Sequence, residues 1–166
     1  MKKALLVLLL MPALLSAQGG RAKNVVLFLA DAGGISTQTA ASLHAHGATG
    51  KLFVQQMPHI ALSDTTTASQ IVTDSAAGMT AIVTGVKTHN GVISQGADTV
   101  RGKTDGTPLK TILEYAEERG LATGVVTNDS LTGATPASTT RTATTVARRP
   151  TSFSRSSHPV SATAWT

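Results

Sequence analysis

The chain contains no cysteine. That excludes disulfides, thiolate metal sites and a lipid-anchor cysteine. Aromatic side chains are scarce, with three Phe, one Tyr and one Trp. Any core must be filled by Val, Leu, Ile and Ala, which suits strands buried between helices. No Walker loop, HExxH pair or Gly-x-Ser-x-Gly elbow occurs. These absences remove the P-loop and zincin readings and weaken a serine-hydrolase one. Acidic residues run out early, since all nine lie at or before Asp129. The net charge of +5 comes largely from Arg141, Arg148, Arg149 and Arg155. No basic stripe with interleaved aromatics accompanies them, so a nucleic-acid partner is not expected.

The 166 residues suffice for one domain with a core. Lys2 and Lys3 precede an apolar run from Ala4 to Leu15, and Ser16-Ala17 follows as a small-residue exit. This is the pattern of a secretory leader over residues 1–17. The run falls short of the roughly 20 residues that a spanning helix needs. The mature chain is therefore expected in the periplasm or the medium, with no membrane span.

Asn24 to Ala30 is a continuous apolar run and reads as a buried central strand. Thr37 to His46 reads as a helix closed by Gly47. Pro58 to Asp64 reads as a second strand. Ser75 to Thr84 reads as a helix stopped by Gly85, and His89-Asn90-Gly91 as a turn. Thr107-Pro108 suggests a capped helix start, with Leu109, Ile112, Leu113 and Ala116 on its buried face and Gly120 at its end. Leu121 to Thr127 reads as another buried strand. Alternating helix and strand point to an α/β fold with a mostly parallel sheet. From residue 139 onward the chain has eight Thr, five Ser and four Arg, with no acid and no Lys. A disordered tail accounts for that composition. The abruptness of the change favours a shifted reading frame.

Three places carry chemistry. Asp31 sits where a strand meets a glycine turn, a natural position for a hard-metal ligand in open α/β sheets. Ser75 opens a helix, whose dipole and free N–H groups favour a phosphate. Thr127 to Pro136 is rich in hydroxyls, and Asp129 or Thr135 is placed to reach a metal. Taken singly, each has a plainer reading: Asp31 as a turn residue, Ser75 or Asp74 as a helix cap, and the hydroxyl loop as turn chemistry. His44 and His46 point to different helix faces, and His59, His89 and His158 are isolated, so none reads as a triad base.

Taken together, the three places resemble the alkaline phosphatase family. Lys23-Asn-Val-Val-Leu-Phe-Leu-Ala-Asp31 is similar to its opening strand and metal-binding Asp. Val72-Thr-Asp-Ser-Ala-Ala-Gly-Met-Thr-Ala81 and Thr84-Gly-Val-Lys-Thr-His-Asn-Gly91 resemble its nucleophile motif and the segment after it. Gly124-Val-Val-Thr-Asn-Asp-Ser-Leu-Thr-Gly-Ala-Thr-Pro-Ala137 resembles its next strand and metal loop. The resemblance implies the N-terminal portion, residues 18–138, of a three-layer α/β/α alkaline-phosphatase-like domain. It implies phosphate monoester substrates, two Zn²⁺ and one Mg²⁺, a phosphoserine intermediate, and a homodimer in the full-length family. By the same resemblance Ser75 is the nucleophile and contacts one zinc. Asp31 bridges that zinc and the magnesium, Thr135 is a magnesium ligand, and Asp74 orients a phosphate-gripping Arg.

Two positions depart from the family pattern: Gly133 stands where members have Asp or His, and Ala32 where they usually have Gly. The phosphate-gripping Arg and the ligands of the family's second half have no counterpart in the sequence. Other members of the superfamily, phosphodiesterases or sulfatases, and a non-catalytic exported phosphate- or metal-binding protein are the competing readings. With the histidine donors of a zinc shell missing, the purified 166-residue chain is expected to be unstable and inactive. Zinc-dependent hydrolysis of a phosphate monoester by this chain alone would contradict that.

Overall fold

The structure, a computed structural model, describes residues 22–140 and 161–164. The leader over residues 1–17 and most of the Thr/Ser/Arg-rich segment lie outside the described residues. The elements, in chain order, are α1 (Ile35–His46), a 3-10 turn (Phe53–Gln56), α2 (Ser75–Thr84), α3 (Ile112–Glu117), β1 (Gly124–Thr127), α4 (Ala134–Thr140) and β2 (Ser161–Ala164).

Local chemistry explains the helix ends. Gly47 and Gly85 close α1 and α2 at φ 66° and φ 75°, left-handed values that glycine reaches without a Cβ penalty. α2 starts at Ser75 because Asp74, in extended backbone, accepts a hydrogen bond from the Ala77 N–H at 2.9 Å. α3 starts later than the Thr107-Pro108 pair suggests. The Thr107 hydroxyl and N–H both donate to Asp98 and so are not free to cap. Thr111 caps instead, in a reciprocal box with Glu114.

β1 and β2 pair in parallel, with Gly124 opposite Ser161 and Thr127 opposite Ala164. Parallel pairing agrees with the α/β expectation, since such a pair needs a crossover and α4 lies in the connection. Three strand expectations are corrected. Residues 24–30 join no ladder among the described residues, and Phe28 is 91% exposed. Residues 58–64 are likewise unpaired, with Ile60 95% exposed. β1 begins at Gly124 and is only partly covered. A strand hydrophobic on both faces becomes one only between neighbouring strands, and the described residues supply none for these two segments. Each bare Phe, Ile or Leu forgoes about 1.5–3 kcal/mol of burial.

The core that does form is small and centred on α2. Ala76, Ala77, Met79 and Val83 pack with Val92 and Ile93 of the following loop. α2 packs most closely on α4, which also touches α3 and β1. The small side chains let a polar seam run through this contact. The Thr80 hydroxyl donates to Val92 O at 3.3 Å and accepts from the Ser94 N–H at 2.9 Å. The Ser94 hydroxyl donates to Ser138 O at 3.0 Å, and that of Ser138 to Ala134 O at 2.7 Å. The seam fixes α4 against α2, and with them the residues at their first turns.

A buried hydrogen-bonding group that loses its partner costs about 1–3 kcal/mol. Thr80→Val keeps the volume of Thr80 and strands the Ser94 N–H. It is expected to lower stability by about that amount, read as a shift in the midpoint of urea unfolding with unchanged slope.

Candidate active site

The turn after the apolar run is tightly built. The Gly33 N–H donates to Ala30 O at 3.0 Å. Two α1 side chains fold back on it: the Thr37 hydroxyl donates to Ala32 O at 3.3 Å, and the Gln38 amide to Gly33 O at 3.2 Å. Ala32 stands at φ 53°, the left-handed region that costs a non-glycine residue about 1–2 kcal/mol. This is the position where the family pattern has Gly. Asp31 is held in this turn and exposed.

Two hydroxyls meet on one of its oxygens. Ser75 Oγ donates to Asp31 Oδ2 at 2.8 Å across 44 residues. Thr135 Oγ1 donates to the same oxygen at 3.1 Å across 104 residues. Asp31, Ser75 and Thr135 are thus brought together from three separate segments. Ser75 is the first residue of α2 and Thr135 lies in the first turn of α4. The N–H groups of Ser75 and Ala76 carry no hydrogen bond within the described residues, which leaves donors at the positive end of α2.

Asp74 braces the start of α2 in this structure. Its Oδ1 receives the Ala77 N–H and its Oδ2 the Gly91 N–H at 2.6 Å, so both oxygens serve the backbone. Arg148 and Arg149 lie outside the described residues. Asn90 completes the brace: its Oδ1 accepts from the Asp74 N–H at 3.3 Å, and its Nδ2 donates to Val72 O at 3.1 Å. Sequence reading treats Asn90-Gly91 only as a turn. The signal it passes over is the pairing of a turn Asn with a helix-capping Asp 16 positions earlier. Further out, the Lys87 ammonium donates to Asp64 at 3.2 Å and to the Thr66 hydroxyl at 2.6 Å. Hydrogen bonds from Thr66 and then Lys87 hold the Asp64 carboxyl below its usual range.

The described histidines stay apart from this centre. His44, His46 and His59 are exposed. His89 spans Ser69 Oγ at 2.9 Å and Ala97 O at 2.8 Å, tying two loops. Among the described residues, no three His, Asp or Glu side chains cluster as a metal site. The donors that do converge are oxygens, which suit a hard cation such as Mg²⁺; a zinc shell would need nitrogen as well.

Comparison with known proteins identifies the family. The family model described as alkaline phosphatase matches residues 22–162. The chain belongs to the alkaline phosphatase family. It is 43% identical to the alkaline phosphatase of Escherichia fergusonii, covering 70% of this chain and 25% of that one. It is 39% identical to the streptomycin-6-phosphate phosphatase of Streptomyces griseus, covering 82% and 31%. In structure it is similar to the alkaline phosphatase of the Antarctic bacterium TAB5, with a TM-score of 0.64 at 35% identity over 75% of this chain and 34% of that one. A TAB5 variant with one His replaced by Asp is described with Mg bound in its M3 site, and it matches with a TM-score of 0.56 at 33% identity, covering 68% and 30%. The fold is therefore alkaline-phosphatase-like, and metal use is a property of the family. This alkaline phosphatase homologue spans about a quarter to a third of the length of these relatives.

The Asp74 brace gives a direct test. Asp74→Ala removes the acceptor of both the Ala77 and the Gly91 N–H. Loss of such a cap costs about 1–2 kcal/mol. Hydrogen exchange is expected to speed up at Ala77 and Gly91 together, while the α1 amides keep their rates.

Proposed function

We propose that this chain carries the nucleophile segment of a phosphate monoester hydrolase, with Ser75 as the residue that takes the phosphoryl group. The observation that carries the reading is the Asp31 oxygen shared by the Ser75 and Thr135 hydroxyls. A capping serine needs no such partner, because Asp74 already caps α2. Serine is a weak nucleophile until a base or metal draws on its proton.

In the proposed reaction Ser75 Oγ attacks phosphorus while its proton moves toward Asp31 Oδ2. The ester P–O bond breaks, and the departing alkoxide takes a proton from water. Water then attacks the phosphoserine, the bond between phosphorus and Ser75 Oγ breaks, phosphate leaves, and the proton held on Asp31 returns to Ser75 Oγ. The free N–H groups of Ser75 and Ala76 are placed for the phosphoryl oxygens. Asp31 and Thr135 would hold a magnesium ion, whose charge would offset that of the phosphate. The zinc pair implied by the resemblance needs nitrogen donors that these residues do not supply.

A three-layer α/β/α arrangement is supported by the parallel β1–β2 pair, by α4 packed against β1, and by the likeness to the TAB5 enzyme. Export is supported by the leader pattern of residues 1–17. Among the described residues no helix is long and apolar enough to cross a membrane. Phosphate monoesters as substrates, and a dimer in the longer family members, follow from the resemblance.

Residues 22–138 placed into the matching segment of the TAB5 enzyme test the chemistry. The chimera is expected to hydrolyse p-nitrophenyl phosphate, and Ser75→Ala is expected to lower kcat by at least about a thousandfold. A folded chimera that keeps its rate after Ser75→Ala would overturn the assignment.

A further inference from the structure

Asparagine followed by glycine is the residue pair most prone to spontaneous loss of a side-chain amide. Glycine has no side chain to keep its backbone nitrogen away from the asparagine Cγ before it. Asn90-Gly91 is such a pair, and two local demands fix it in place. Gly91 stands at φ 78°, a left-handed value that glycine reaches without a Cβ penalty. Residue 90 must accept from the Asp74 N–H at 3.3 Å and donate to Val72 O at 3.1 Å. An amide does both, whereas a carboxylate can only accept.

The reaction needs freedom of movement. Asn90 Cγ must swing onto the Gly91 nitrogen, that nitrogen must release its proton, and water must reach the pair. The brace at the start of α2 opposes all of these. The two bonds of Asn90 tie its side chain to the segment that leads into α2. The Gly91 N–H donates to Asp74 Oδ2 at 2.6 Å, a bond to a charged acceptor. Gly91 is buried, and the Arg101 guanidinium lies over it, with Cζ 2.7 Å from where a Cβ would stand.

We infer that Asn90 is a latent deamidation site, locked in the folded chain by Asp74. When the lock opens, the Gly91 nitrogen bonds to Asn90 Cγ. Its proton passes through water to Nδ2, the Cγ–Nδ2 bond breaks, and ammonia leaves. Water then opens the imide ring, giving Asp by one route and a β-linked Asp by the other. Either product ends the brace. Asp sets a second acceptor against Val72 O, and the β-linked form adds a methylene to the backbone of the turn. The change runs one way, so a chain that has opened here does not rebuild the same start of α2. The inference stands whether or not Ser75 is a nucleophile.

Mass spectrometry of the full chain held at neutral pH tests it, with a synthetic peptide of residues 88–101 as the unlocked reference. Trypsin releases the same peptide from the chain, because Lys87 precedes it and Arg101 ends it. Conversion at Asn90 is expected to run at least about tenfold slower in the chain than in the peptide, since opening must first break a hydrogen bond to a charged group. Asp74→Ser keeps an oxygen to cap α2 but has none left for the Gly91 N–H. It is expected to speed conversion in the chain by about tenfold. Thr80→Val weakens the core without touching the brace, and is expected to speed conversion much less than Asp74→Ser does. Equal rates in the chain and the peptide would mean that no lock exists. An Asp74→Ser rate equal to that of the unaltered chain would take the lock away from Asp74. Equal acceleration by Thr80→Val would trace the protection to the fold as a whole. Each of these three results overturns the inference.

Discussion

One carboxylate oxygen organises the described part of this protein. Asp31 Oδ2 receives hydroxyls from Ser75 and Thr135, and those residues open α2 and α4. Two helix starts must face one turn for this to happen. The turn is held by Thr37 and Gln38 of α1, the first helix start by Asp74 and Asn90, and the relative position of α2 and α4 by the Thr80–Ser94–Ser138 seam. A small error at any of these would break one of two hydrogen bonds whose lengths leave little slack.

The seam also explains why the core is built of small residues. Ala76, Ala77 and Gly78 let α2 approach its neighbours closely, and buried serine and threonine hydroxyls then find backbone partners. Larger side chains would bury more apolar area but push the helices apart. The arrangement trades hydrophobic burial for fixed geometry at the first turns, where the proposed chemistry lies. Elsewhere burial is poor. Phe28, Ile60 and Leu62 are bare, in segments that pair with no strand among the described residues.

Local signals carried much of the fold. The glycines at 47 and 85 marked the helix ends correctly, and Ser75–Thr84 was legible to the residue from its small apolar run and its cap. The start of α3 was not legible, because Thr107 and Thr111 both look like caps and only the contact with Asp98 decides between them. The strand assignments of 24–30 and 58–64 were not met. A hydrophobic run says that a segment wants burial on both faces, but pairing needs a neighbour from elsewhere in the chain.

The sequence by itself determined the family, through three motifs in order, and the chemical type of each site residue. Asp31, Ser75 and Thr135 stood out as candidates through those motifs together; taken singly, each also reads as a turn or cap residue. Tertiary structure alone decided that they share one oxygen, that Asp74 spends both its oxygens on backbone N–H groups, and that Asn90 bonds to Val72 and Asp74. Each of these is a contact across a fold, set by packing to within a few tenths of an ångström, and neither spacing nor composition encodes distances of that kind.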